Sequence, residues 1–257
     1  MGKLRKKVGA FLERWGLVSQ SYTAINEIKN LVKFGFFHPP TYLEIPDKKV
    51  TYCIMPKVAC SSIKASLYLQ NFKDDYSVHR EIPGEPKLLK DDPEYFKFSF
   101  VRNPFDRLVS CYESKYHRDV EIKMDVLDFR FYLLGSLAKD RGFNRFIKSV
   151  CIIPKRFANM HFRSQYLTIY RHGKCMMDFV GKFENLEIDY EPIRAKYGFD
   201  PLRHYNKSNR SNWMDYYTPK TAKMVYRKFK KDFEIFGYQD EYEKLLKYLA
   251  EKEQNIS

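Results

Sequence analysis

No apolar run in this chain approaches the length of a membrane span, so a membrane-crossing helix is not expected within it. Cysteine is sparse. Cys53, Cys60, Cys111, Cys151 and Cys175 are scattered, and no pair has Cys-x-x-Cys spacing. An odd count without a secretory signal points to reduced thiols in a cytoplasm rather than a disulfide framework. No His, Cys, Asp and Glu residues have the spacing of a metal site, so no metal is expected. Repeats and low-complexity tracts are missing too. Acidic residues are in deficit: 32 Asp and Glu stand against 46 Lys and Arg, for a formal charge of +14 and a pI near 9.4. That balance fits nucleic acid, anionic lipid or a polyanionic substrate such as an acidic glycan or a nucleotide. Charge alone does not choose among them.

What is present suffices for one α/β domain with a full core, at 257 residues. Val50 to Met55 is a short, apolar, β-rich run, the pattern of a buried strand. Pro56 ends it. Ser61 and Ser62 are helix N-cap types, and Ile63 and Leu67 continue at helical spacing toward about Phe72. The reading is strand, tight loop, helix. Such a loop turns backbone N–H groups and the positive helix end toward one spot, which suits an anion. Lys57 adds a mobile charge, and two serine hydroxyls add donors. An ordinary strand-to-helix turn with a surface lysine satisfies the same pattern, and the loop lacks the glycines and Gly-Lys-Ser/Thr ending of a P-loop.

A second unit follows. Tyr95 to Val101 reads as a strand, and Pro104 suits the first turn of a helix running to about Arg118. Arg102 then lies at the helix mouth, with Asp106 and Ser110 one turn apart on one face. Arg102 and Ser110 would converge on a second anion.

Two such units, each with an anion cradle, resemble the sulfotransferase family. The closer resemblance is to the Golgi carbohydrate sulfotransferases of the chondroitin and dermatan type and their bacterial relatives. It rests on Pro56-Lys57-Val58-Ala59-Cys60-Ser61-Ser62 and on Arg102-Asn103-Pro104-Phe105-Asp106-Arg107-Leu108-Val109-Ser110. In that family the first segment holds the 5′-phosphosulfate of PAPS, the activated sulfate donor, and the second holds its 3′-phosphate. Weaker matches continue through Asn159-Met160-His161-Phe162, Met177 to Leu186, His204 to Arg210 and Tyr226 to Tyr238. The family's membrane anchor has no counterpart here, which suggests a cytoplasmic relative or a catalytic domain without its anchor.

The resemblance implies an α/β, P-loop-like sulfotransferase fold, with a central parallel sheet flanked by helices. It implies sulfuryl transfer from PAPS to a hydroxyl of a polysaccharide or glycolipid, leaving PAP. Lys57 would meet the bridging oxygen, with Val58, Ala59, Cys60, Ser61 and Ser62 lining the donor loop. Arg102 and Ser110 would take the 3′-phosphate, and Lys207, Ser208 and Arg210 would close over the nucleotide. The base is His79, in the loop before the second strand, or His161 in the Asn-x-His motif, with His79 ranked first. A carboxylate, or no base at all, remains the alternative.

Residues 1–40 stand apart from a sulfotransferase domain at 41–257. Leu4, Val8, Phe11, Trp15 and Val18 recur at helical spacing among Lys3, Arg5, Lys6, Lys7 and Arg14. That basic amphipathic helix either lies on an anionic membrane, through residues 1–37, or docks on the domain. Ile25, Ile28 and Val32 suggest a second short helix. Tyr42–Ile45 and Val50–Met55 flank a polar turn and form a hairpin. Residues 73–94 read as a long loop. Residues 119–150 read as mostly helical, with Phe143, Phe146, Ile147 and Val150 in one stripe and a basic face that either meets the acceptor, as the resemblance implies, or is simply solvated. A cytoplasmic protein, peripheral on the inner face of a membrane, and no nucleic-acid partner are expected. Two rivals remain. A nucleotide-dependent kinase of similar fold lacks the Gly-Lys-Ser/Thr ending and an evident metal-binding Asp. A non-enzymatic basic module would bind any polyanion, with a steep salt dependence and no preference for PAP.

Overall fold

Three parallel strands carry the centre of the computed structural model, which describes residues 17–69, 72–87, 89, 92–115, 142–203 and 212–255. In chain order the helices and strands begin with α1 (Leu17–Phe34), β1 (Thr41–Ile45), β2 (Val50–Cys53), α2 (Cys60–Leu67) and α3 (Asp75–Glu81). They continue with β3 (Glu85–Pro86), β4 (Phe96–Val101), α4 (Pro104–Lys115), α5 (Gly142–Ile152) and the one-turn α6 (Tyr166–Ile169). Then come β5 (Tyr170–Arg171), β6 (Lys174–Cys175), β7 (Phe179–Lys182) and α7 (Leu186–Tyr197). The chain closes with α8 (Pro219–Lys228), α9 (Lys230–Ile235) and α10 (Gln239–Gln254).

The sheet order is β3-β1-β2-β4-β7. β2, β4 and β7 are parallel, with Tyr52 opposite Phe98 and Val101 opposite Lys182. β1 is antiparallel to β2, with Ile45 opposite Val50, so the predicted hairpin forms. The turn between them is a 3₁₀ segment, Pro46–Lys48, closed by Lys49 in the left-handed region. The parallel centre is therefore flanked by an antiparallel edge. Aromatic rings weld it: Tyr52 stacks on Phe98 at 5.1 Å, and Tyr190 of α7 lies across Phe98 and Phe100. Gly181 lets the Phe100 ring lie against β7, since a Cβ there would meet its Cε1 at 2.3 Å. The three parallel strands end at Cys53, Val101 and Lys182, and each feeds a loop at the same edge. Open α/β sheets place their ligands at that edge.

Several elements differ from the sequence reading. Residues 73–94 are not one loop: Asp74 caps α3 by accepting the Ser77 N–H at 2.8 Å, and a helix follows. His79 therefore sits on a helix. α2 ends at Leu67, short of Phe72, and its N-cap is Ala59 rather than a serine. The closing segment 226–238 breaks at Phe229 into α8 and α9. Ile25, Ile28 and Val32 belong to the single helix α1, where their side chains are exposed. The chain just after α1 is docked. Phe37 N–H donates to Arg156 O at 2.9 Å, its ring packs on Phe157, and Arg163 lies over Phe36 and donates to His38 O. The basic amphipathic helix itself falls largely on residues 1–16, which lie outside the described residues. α5 buries Phe143, Phe146, Ile147 and Val150, as the stripe predicts. Residues 116–141 and the segment with His204, Lys207, Ser208 and Arg210 also lie outside the described residues.

Candidate active site

The first loop forms a backbone nest without glycine. Lys57 has φ 70° and Ala59 has φ 49°, with Val58 between them on the negative side. Such alternation turns successive backbone N–H groups to one side, forming a nest for an anion. A non-glycine residue pays for the left-handed region with strain, and such strain collects at functional sites. α2 opens directly from Ala59 with no side-chain cap, so its positive end faces the cradle. Cys60 and Ser61 are buried, while Ala59 and Ser62 are half-buried and Val58 is fully buried. Lys57 reaches across to α4 and donates to Ser114 Oγ at 2.7 Å.

The second loop works differently. Its backbone N–H groups are already engaged. Arg102 N–H donates to Gln165 Oε1 at 2.9 Å, Asn103 N–H to Glu184 Oε1 at 2.8 Å, and Phe105 N–H to Asn103 Oδ1 at 3.0 Å. No backbone nest opens there, because side chains fill it, so an anion at this loop has only side-chain donors such as Arg102 and Ser110 to meet. What faces the site is the Arg102 side chain, 6% exposed. Its Nε and Nη2 donate to Asp106 Oδ2 at 2.7 and 2.6 Å, its Nη1 to Lys57 O at 2.9 Å, and it lies 4.0 Å over the Phe183 ring. The two loops thus touch. Ser110 is half-buried one turn beyond Asp106, and Ser114 one turn further, so the face of α4 runs from Arg102 to the Lys57 contact.

Both candidate histidines join this cluster. His79 Nε2 lies 3.1 Å from Ser61 Oγ and 3.9 Å from Cys60 Sγ, and its Nδ1 lies 3.3 Å from Lys64 Nζ. An ammonium can only donate, so Nδ1 accepts and the neutral ring carries its proton on Nε2, toward Ser61. His161 has the opposite tautomer. The backbone N–H of His161 donates to Asn159 Oδ1 at 3.0 Å, which fixes that atom as oxygen. His161 Nδ1 lies 2.7 Å from the same oxygen and must donate, leaving the lone pair on Nε2. Burial pushes the His161 pKa well below its usual value. The charges of Lys115, Lys57 and Arg107, and of His79 when it is protonated, push it the same way.

Sequence reasoning passed over the residues that hold these groups. Lys64 carries no motif signal, and it donates to Ile82 O at 2.5 Å as well as meeting His79. Gln165 brackets Arg102 by donating back to its carbonyl at 2.8 Å. Asp232, fully buried, accepts from Ser164 and from the N–H groups of Gln165 and Tyr166. Arg107 and Asn159 were in the quoted motifs, but spacing gives no hint of their partners. Among the described residues, no group of three or more His, Cys, Asp or Glu is placed to hold a metal ion.

Curated relatives include carbohydrate sulfotransferase 11 of Mus musculus, 27% identical over 230 residues, covering 75% of this chain and 65% of that protein. Carbohydrate sulfotransferase 10 of Xenopus laevis is 25% identical over 242 residues, covering 76% and 67%. Carbohydrate sulfotransferase 14 of Danio rerio is 28% identical over 226 residues, covering 75% and 60%. The chain spans about two thirds of the length of the curated relatives it matches. No solved structure matches significantly. These relatives are carbohydrate sulfotransferases, the group whose resemblance pointed to the Golgi, and this overturns the cytoplasmic assignment. The cysteines were a poor guide to compartment: Cys53, Cys60 and Cys111 are buried core thiols, suited to packing in any compartment. Among the described residues no helix is long and apolar enough to cross a membrane. The sulfotransferase family matches residues 40–239, a stretch that takes in the hairpin, both loops and both histidines, and the chain belongs to that family.

Proposed function

We propose that this protein transfers a sulfuryl group from PAPS to a hydroxyl of a carbohydrate acceptor. The observation that carries the reading is the first loop. Strained non-glycine residues, an uncapped helix end and Lys57 converge there on one anion position. The names of the relatives supply the acceptor class. Sulfuryl transfer spreads negative charge over the equatorial and leaving oxygens, so positioning and electrostatics carry most of the catalysis.

Lys57 stabilises the leaving phosphate oxygen, and residues 58–62 cradle the 5′-phosphosulfate. Arg102 and Ser110 take the 3′-phosphate with side-chain donors. Lys207, Ser208 and Arg210 remain proposed as closing contacts. The tautomers favour His161 over His79 as the base, because only His161 presents a lone pair at Nε2 while its Nδ1 proton is anchored. His79 then orients the Ser61 hydroxyl at the donor. The test is calorimetry with PAP, with ATP and with a generic polyanion, followed by PAPS-dependent sulfation of a panel of glycans. Tight binding of PAP alone, with sulfated product, supports the reading. Equal binding of ATP, or salt-steep binding of any polyanion, would replace it with the kinase or the basic-module reading.

A further inference from the structure

Arg107 is a buried cation with no carboxylate partner among the described residues. It lies in the second turn of α4 and is 2% exposed. Its Nε donates to Pro56 O at 3.1 Å, its Nη1 to Arg163 O at 2.7 Å, and its Nη2 to Met160 O at 2.8 Å. The nearby Asp232 carboxylate is occupied by Ser164, Gln165 and Tyr166. Three carbonyl dipoles therefore solvate the charge. Burial pulls the guanidinium down to about 10. A hydrophobic residue of the same volume would avoid that desolvation, so stability alone is a poor reason for the charge.

The three carbonyls belong to two segments. Pro56 immediately precedes Lys57 in the donor loop. Met160 immediately precedes His161, and Arg163 closes the same turn by donating its N–H to Asn159 O at 2.8 Å. One rigid fork thus grips both segments next to the residues that matter most in each. A lysine ammonium is a point donor on a flexible stem and cannot reproduce that span.

We propose that Arg107 is a positioning residue for sulfuryl transfer: its guanidinium locks the donor loop to the His161 turn, and so sets Lys57 and His161 in register. The inference rests on the sulfuryl-transfer reading. Arg107 touches neither donor nor acceptor. It acts through two backbone segments, and its charge, with Lys115 from α4, Lys57 from the loop and His79 from α3, also faces His161.

The experiment compares Arg107→Lys and Arg107→Met with the parent. Activity is expressed per PAP-binding site counted by calorimetry. Arg107→Lys keeps the charge and loses the fork. It is expected to fold, to lower kcat about 10²-fold, as a misplaced reacting group does, and to raise the KM for PAPS far less. Its acid limb in the rate–pH profile should stay where the parent's is. Arg107→Met loses the charge as well, so its acid limb should move to higher pH. Parental kcat per site in Arg107→Lys would overturn the proposal. So would a variant that does not fold, or one whose lost rate matches its lost PAP sites, since each marks Arg107 as merely structural. A parent without PAPS-dependent transfer would overturn the functional reading and this inference together, whereas an active parent with an equally active Arg107→Lys overturns this inference alone.

Discussion

The assignment of the base is open to a sharp test, through His161→Asn. The asparagine Nδ2 occupies the place of the histidine Nδ1, so it still donates to Asn159 Oδ1, which lies 2.7 Å from Nδ1 in the parent. Only the Nε2 side of the ring is lost. If Nε2 takes the acceptor proton, kcat falls about 10²–10⁴-fold, the range for a positioned general base. At about 1.36 kcal/mol per decade that is roughly 2.7–5.4 kcal/mol of barrier. Truncating a half-buried ring should cost about 1 kcal/mol of stability, a Tm shift of about 2–4 °C for a chain of this size. PAP affinity should hold. His79→Asn removes one hydrogen bond to Ser61, worth about 0.5–1.5 kcal/mol, and so costs roughly 2- to 12-fold. The pH profile gives a second arm. Burial and the neighbouring charges of Lys115, Lys57 and Arg107, joined by His79 when it is protonated, depress the His161 pKa, so the neutral base persists as pH falls below about 6.5. The parental rate should stay flat through that point and fall only as pH passes the depressed value. Stability follows the same sign: the unfolded chain takes up the proton first, so stability is complete above about pH 6.5 and is lost as pH falls toward the folded value. Steady-state rates, calorimetry and thermal melts across pH measure all of this. The argument fails if His161→Asn keeps the parental kcat while His79→Asn is dead, or if the parental acid limb is centred near 6.5.

Lys57→Ala should lower kcat by about 10²-fold or more with the fold intact, the scale of one lost transition-state donor; single-turnover transfer from PAPS measures it. Arg102→Ala should weaken PAP binding by about 1.5–3 kcal/mol in calorimetry, for a lost charge-assisted bond. It should also lower the Tm, because Asp106 loses its partner. Gly181→Ala should cost about 1–3 kcal/mol of stability in denaturant melts, because its Cβ would overlap the Phe100 ring at 2.3 Å.

Local signals made much of the frame legible. The Val50–Cys53 strand shows as a β-rich apolar run, α4 starts at Pro104, and the α5 stripe reads directly off its 3.6-residue period. What hid from the sequence depends on contacts distant along the chain. α3 was missed because its proline- and glycine-bearing flank outweighed one capping residue, Asp74. The strained loop was invisible because Lys57 and Ala59 occupy a backbone region that glycine normally announces. The ranking of the two histidines turned on which nitrogen holds the proton. That is decided by the Asn159 carbonyl oxygen and the Lys64 ammonium, and no spacing rule reports it.

On the proposed reading the two anchor loops also solve one electrostatic problem in two ways. The first presents backbone N–H groups and a helix end, which are fixed dipoles and need no reorganisation as charge moves onto the leaving phosphate. The second has given its backbone to Gln165, Glu184 and Asn103, and would meet an anion with a guanidinium held in place by Asp106 and the carbonyl of Lys57. That division explains why the second motif is so dense. Asn103 both accepts the Phe105 N–H and donates to Glu241, and Pro104 needs no N–H partner. Phe105 packs between Trp213, Tyr217 and Phe233, and Arg107 reaches back to the first loop. On that reading Arg102 and Ser110 are the side chains of this motif that would face the donor. The fixed dipoles would then stand where bonds change, and the side-chain donors where the nucleotide is only held.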